Sequence, residues 1–172
     1  ISDCTFTGSV SGTRNVGGIA GLNAATGILR NCSTSGAAFG VNMTGGITGY
    51  NLGLVTACEN GMYVNIESAD PEVGLEDLNL DLSLDLSKFS QPDTANIATD
   101  TGGIAGYSSG TLRSCVNRAA VGHQHIGYNV GGIAGRTSGY ILNCTNQGTA
   151  SGRKDVGGIC GQMEPFITLD VE

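Results

Sequence analysis

One hexapeptide returns five times and limits what this chain can become. It reads VGGIAG at Val16–Gly21, TGGITG at Thr44–Gly49, TGGIAG at Thr101–Gly106, VGGIAG at Val130–Gly135 and VGGICG at Val156–Gly161. Successive copies begin 28, 57, 29 and 26 residues apart, so the long interval is one repeat plus an insertion of similar length. Cysteines at Cys4, Cys32, Cys58, Cys115 and Cys144 keep the same beat, with spacings of 28, 26, 57 and 29. Two markers in phase at a period between about 20 and 50 residues specify a solenoid, a propeller or an array.

The local pattern chooses among these. In the stretch from Gly27 to Asn51, Ile28–Thr34, Gly36–Val41 and Gly45–Asn51 each read as a short strand, with small or β-branched residues between glycines. Such segments do not make helices, because glycine and β-branched residues have low helix propensity and the apolar spacing is two rather than 3.6. Three short strands and three turns in about 28 residues make one coil of a parallel β-helix. The chain is therefore expected to be all-β, a right-handed parallel β-helix of about five coils, the hand following the crossover rule for parallel strands. It forms a single domain over residues 1–172 with one insertion at about 63–100.

Stacked coils turn each slot into a column. Three residues before the cysteines stand Ile1, Leu29, Val55, Leu112 and Ile141, and the hexapeptides contribute Ile19, Ile47, Ile104, Ile133 and Ile159. At a strand spacing of about 4.8 Å each set becomes an aliphatic ladder, and burying one such side chain stabilises by about 1.5–3 kcal/mol. The cysteines form a column too. Their side chains point in parallel rather than at one another, which favours a buried ladder of free thiols over one or two strained bridges. The sixth cysteine, Cys160, replaces the alanine or threonine of the hexapeptide. The recurring glycine pair implies either a corner at positive φ or a close backbone approach. Asn31 and Asn143, beside the cysteines, suit turns.

The insertion is acidic and leucine-rich. Within it Leu78, Leu80, Leu82, Leu84 and Leu86 alternate with Asn79, Asp81, Ser83 and Asp85, the pattern of a strand with one buried face. The chain ends in MEPFITLDVE, where Phe166, Ile167 and Leu169 are expected to cover the final coil. Ile1 and Cys4 already occupy repeat slots, so the sequence reads as a segment of a longer protein with flanking domains.

A formal charge of −7 and a pI near 4.6 argue against nucleic acid, which needs a basic patch, and against an anionic membrane surface. No run of 18 apolar residues is present to insert into a bilayer.

The stretches GGIAGLNAATGILRNCSTSG and GGIAGRTSGYILNCTNQG resemble the GLUG motif, a repeat of secreted and surface-attached bacterial proteins that accompanies immunoglobulin A-cleaving peptidases and large adhesins. The resemblance covers the chain apart from the insertion and the tail. It implies a β-solenoid in an extracellular or cell-surface setting. No HExxH is present, so no proteolytic role carries over.

Candidate chemistry is sparse. Parallel β-helices include polysaccharide lyases and hydrolases, whose catalysis needs carboxylates, or a base with Arg or Lys, converging on one face. Asp3, Glu59 and Asp155 occupy unrelated slots, and the arginines read as solvated turn residues, so no catalytic, cofactor or metal residues are assigned. His123 and His125 are read as surface residues of a strand, without a third metal ligand. The loop carboxylates Asp70 and Glu72 leave a calcium site open. The column after each hexapeptide holds Leu22, Tyr50, Tyr107, Arg136 and Gln162. With the insertion looped out, Tyr50 and Tyr107 become neighbours flanked by Leu22 and Arg136, a platform for a sugar or a protein partner. The leading expectation is a non-catalytic structural or adhesive module, with a glycan or a host or matrix protein as partner. A carbohydrate-binding module using the tyrosine column is the alternative, and a lyase or hydrolase the third.

Overall fold

A computed structural model describes residues 1–66 and 98–165. Among them every regular element is a strand and every strand pairing is parallel. The chain winds five times. The first coil is β1 (Thr5–Gly17), β2 (Ala20–Asn23) and β3 (Ile28–Arg30), and the second is β4 (Ser33–Gly45), β5 (Thr48–Asn51) and β6 (Leu54–Thr56). The third is β7 (Glu59–Val64), β8 (Thr99–Gly102), β9 (Ala105–Ser108) and β10 (Thr111–Arg113). The fourth is β11 (Val116–Asn117), β12 (Tyr128–Gly131), β13 (Ala134–Thr137) and β14 (Tyr140–Leu142), and the fifth is β15 (Thr145–Asn146), β16 (Lys154–Gly157) and β17 (Cys160–Met163). Three parallel sheets line the coil, in the orders β14-β10-β6-β3, β17-β13-β9-β5-β2, and a larger one in which β4 carries β1 on one edge and both β7 and β8 on the other. The β-solenoid expected from the period is the fold, with about five turns.

The strand breaks differ from the expected ones. The first strand stops at Arg30, while Ser33–Gly45 runs unbroken through what reads in sequence as two pieces. Two columns of left-handed residues set the breaks. Asp3, Asn31, Ala57, Ser114 and Asn143 precede the cysteines with φ of 52–57°, and Asn15, Met43, Asp100, Asn129 and Asp155 precede the hexapeptides with φ of 53–58°. Asn and Asp tolerate this region best. Ala57, Ser114 and Met43 adopt it because the coils above and below are hydrogen-bonded to them in the same path, as where Ala57 N–H donates to the Arg113 carbonyl.

The hexapeptide glycines are not at positive φ, so close approach is their role. A Cβ on Gly46 would fall on the Asn60 side-chain amide and the Gly103 carbonyl; one on Gly103 would fall on Asn117 and Gly132. This glycine column makes room for a buried amide ladder. Thr34 Oγ1 donates to Asn60 Oδ1 (2.8 Å), Asn60 Nδ2 to Asn117 Oδ1 (2.7 Å), and Asn117 Nδ2 to Asn146 Oδ1 (2.8 Å). Each amide spans from its own coil to the next, which satisfies polar groups no water could reach. A second ladder joins Asn23 to Asn51 (2.8 Å) and Asn51 to Ser108 (3.0 Å).

Leu29, Val55 and Leu112, with Ile47, Ile104 and Ile133, fill the core as the columns predict. Cys32, Cys58 and Cys115 are buried among them, and all six cysteines are free thiols. Their alignment is held by the backbone: Glu59 N–H donates to the Cys32 carbonyl and Val116 N–H to that of Cys58, both at 2.9 Å. The columns lose cover at the last coil, where Ile159 is 42% exposed and a cavity of about 450 Å³ opens beside Ile141, Cys160 and Met163.

The insertion is shorter than 63–100. Tyr63 and Val64 belong to β7 and Thr99 and Asp100 to β8, because both strands pair with the continuous β4: Ala38 lies opposite Val64, and Asn42 opposite Thr99. The leucine alternation of Leu78–Leu86, Asp70 and Glu72, and the proposed cover by Phe166, Ile167 and Leu169 lie outside the described residues.

Candidate functional site

The column after the hexapeptides forms as its spacing requires. Leu22 lies opposite Tyr50, Tyr50 opposite Tyr107, Tyr107 opposite Arg136, and Arg136 opposite Gln162. The Tyr50 and Tyr107 rings stack with centroids 5.1 Å apart and planes 9° from parallel. The Arg136 guanidinium carbon sits 4.4 Å from the Tyr107 centroid. Tyr107 is thus held between an aromatic ring and a cation, an attraction its quadrupole favours. Leu22, at the open end of the column, is 52% exposed.

Two carboxylates that the sequence reading did not place here complete the arrangement. Asp100 is buried in its left-handed position before the hexapeptide. Its Oδ2 accepts from Arg136 Nη2 at 3.0 Å, and its Oδ1 from Asn129 Nδ2 at 2.8 Å. Glu164 Oε1 accepts from Arg136 Nη1 at 2.9 Å, and its Oε2 from the Tyr107 hydroxyl at 3.3 Å. Burial works against the Arg136 charge, but Asp100 and Glu164 outweigh it and raise the guanidinium's pKa. The signal for Asp100 was available: Asn15, Asn129 and Asp155 stand in the same slot and mark it as a polar column. In sequence, Asp100 reads instead as the last residue of the insertion.

Chemically this is a clasp. Both carboxylates are engaged with one guanidinium, leaving neither placed as a free general acid or base. The tyrosine faces expected to receive a sugar are turned toward each other and toward Arg136, so a molecule arriving at Tyr107 meets ring edges and a hydroxyl. The column therefore ties β5, β9 and β13 together, with Tyr107 packed on both sides and Tyr50 stacked on one.

The other candidates disperse. His123 and His125 do not lie in a strand. They form a tight turn, with His123 bridged to Ile126 and His125 at φ 62°, because this coil needs a short excursion between β11 and β12. Among the described residues no three His, Cys, Asp or Glu side chains gather as metal ligands.

The thiols are the second notable group. Hydrogen bonding to Cys144 and Cys58, together with burial, pushes the Cys115 thiol up. The hydrogen bond from Cys115 brings the half-buried Cys144 down to about 7. Burial raises Cys32, and it raises Cys160 to about 11.

Comparison with known protein families, with curated proteins and with solved structures found no match to this chain.

Proposed function

We propose that this chain is a non-catalytic structural or adhesive repeat module of a bacterial secreted or cell-surface protein. The observation that carries the reading is the in-register stacking of the coils. Their aliphatic columns and amide ladders run from coil to coil, so each coil's main work is to support the next. Such a solenoid maintains distance and presents long flat flanks. The resemblance of the repeat to the GLUG motif supports the surface setting and flanking domains in a parent chain. The paired state of Asp100, Glu164 and Arg136 supports a clasp rather than a catalytic centre.

The test is a degradation panel. Folded protein is incubated with neutral and acidic polysaccharides, and reducing ends and unsaturated uronates are measured. The expected result is no chain cleavage. Cleavage that is lost on substituting Asp100 or Glu164 overturns the reading in favour of a lyase or hydrolase.

A further inference from the structure

The outer face of the large sheet repeats as faithfully as the interior, until the third coil. In the first two coils its outward slots hold Thr5, Thr7 and Ser9, then Ser33, Ser35 and Ala37, paired in that order. In the third coil the same slots hold Glu59, Gly61 and Tyr63. The register continues through Val116 opposite Glu59 and the Val64–Val121 bridge, so Arg118 lies beside Gly61 and Ala120 beside Tyr63. Gln147 and Thr149 follow in the fifth coil, aligned by the Asn117–Asn146 pair and the Val121–Ala150 bridge. An aromatic ring, a glycine and planar polar side chains thus replace a run of small side chains, hydroxyls at all but Ala37, at outward slots that the core does not need.

The replacement makes a groove of about 370 Å³ lined by Gly61, Tyr63, Arg118, Ala120, Gln147 and Thr149. That volume lies in the range of about 300–1,000 Å³ typical of small-molecule sites. Gly61 and Ala120 keep the floor low between taller walls. Tyr63 is 51% exposed, and among the described residues its ring stacks on no other aromatic. Here, unlike at Tyr107, no second ring and no guanidinium among the described residues stacks on the aromatic face.

The opposite wall is a chain of bonded, half-exposed side chains. Arg118 holds Glu59 with two bonds, Nε to Oε1 at 2.6 Å and Nη2 to Oε2 at 3.2 Å, while Nη1 donates to Gln147 Oε1. The chain Glu59–Arg118–Gln147 crosses three coils and carries no net charge. Among the described residues the Gln147 amide nitrogen and the Thr149 hydroxyl have no acceptor and remain to donate, and carboxylate lone pairs on Glu59 remain to accept. An anionic ligand would compete with Glu59 for Arg118, and a cationic one with Arg118 for Glu59. A neutral polyol need displace neither.

We propose that this groove binds a neutral hexopyranose unit of a glycan, with the C–H face of the sugar on Tyr63 and its hydroxyls on the Glu59–Arg118–Gln147 chain. The proposal rests on the reading of the chain as a non-catalytic module and names the ligand class its flank takes. The site is separate from the Tyr50–Tyr107–Arg136 clasp, which lies on the sheet containing β5, β9 and β13.

The experiment is a titration of ¹⁵N-labelled protein with cellohexaose, maltohexaose, mannohexaose and β-1,4-galactohexaose, and with hexagalacturonate as the charged comparison. At least one neutral oligomer is expected to shift the amides of Gly61, Tyr63, Arg118, Ala120 and Gln147. Tyr63→Ala is expected to weaken that binding about tenfold or more, as loss of an aromatic anchor does, while Tyr63→Phe retains it. Because Tyr63 points outward, the alanine variant should keep the parent's thermal midpoint, so lost binding is not lost folding. No shift with any neutral oligomer at millimolar concentration overturns the proposal, as does binding indifferent to Tyr63→Ala or a preference for hexagalacturonate. Assaying reducing ends in the same samples keeps the two readings apart: binding without cleavage supports both, cleavage overturns the non-catalytic reading, and absence of both overturns only the groove.

Discussion

At the scale of single residues, one slot can be neutral in one coil and decisive in another. The second glycine of the hexapeptide illustrates this. At Gly46 an added methyl would land on the Asn60 amide and a neighbouring carbonyl, whereas at Gly158 it would meet nothing among the described residues. Gly46→Ala should therefore destabilise by about 1–3 kcal/mol, the usual cost of forcing an atom into a packed interior. Gly158→Ala should be close to neutral, and urea denaturation of the two variants compares them directly. The thiols allow a second comparison. Cys4 is exposed and Cys144 half-buried with its pKa drawn down to about 7, whereas Cys32, Cys58 and Cys115 are buried. Iodoacetamide should label Cys4 and Cys144 in the native protein and leave those three untouched until unfolding. The thiolate is the nucleophile, and Cys144 gains it as pH rises through about 7, so its labelling rate should climb there and level off above. Peptide mass mapping across pH 5.5–8.5 checks both statements.

At the scale of elements, the ladders and the split strand are what hold successive coils in one path. Asn117 donates to Asn146 and accepts from Asn60 inside the core. Asn117→Ala should cost about 1–3 kcal/mol, because it removes the inter-coil bonds of the buried Asn60 amide and of Asn146 Oδ1 and leaves each with only its partner in its own coil, the Met62 carbonyl and the Gly148 N–H. Combining it with Asn60→Ala should cost less than the sum of the two, since both act on one chain of bonds. The seam in the third coil makes a different prediction. Replacing residues 66–98 by Gly-Val should leave a folded solenoid, because β4 runs continuously beside both halves and Asn65 already bonds to the Ala38 carbonyl. Far-UV circular dichroism and a cooperative melt would show it; an unfolded product would mean that the insertion belongs to the core. Much of this level was legible in the sequence, and the reason is physical. A stacked coil puts identical slots at one strand spacing, so period alone identified the aliphatic and cysteine columns and the Leu22–Tyr50–Tyr107–Arg136 column. What period cannot encode is orientation and local path. The tyrosine rings face along their column rather than outward because each finds its best partner in the next coil. Met43, Ala57 and Ser114 are left-handed because neighbouring coils impose it, not because their own chemistry announces it. Tyr63 reads in sequence as part of the insertion because the break in composition comes near it, although its backbone still pairs with β4.

For the molecule as a whole, stability should be distributed as in other one-dimensional stacks, where each unit depends on its two neighbours. Ile133 has a coil on either side and is fully buried, whereas Ile159 is 42% exposed in the last described coil. Ile133→Ala should cost about 2–5 kcal/mol and Ile159→Ala much less. Hydrogen exchange should likewise be slowest in β5, β9 and β13 and faster in β17, a gradient that mass spectrometry of peptic fragments would resolve.

The seam beside β4 also bears on how such a chain could change over generations. The points where the insertion leaves and rejoins are held opposite Ala38 and Asn42 by a neighbour that does not take part in the detour. Four residues of strand separate those points, about 13 Å, a gap that many compact domains could bridge with their own termini. The third coil is therefore a socket. Recombination there could exchange one guest sequence for another, and a designer could graft an epitope or a small enzyme in its place, without rewriting the repeats that carry it.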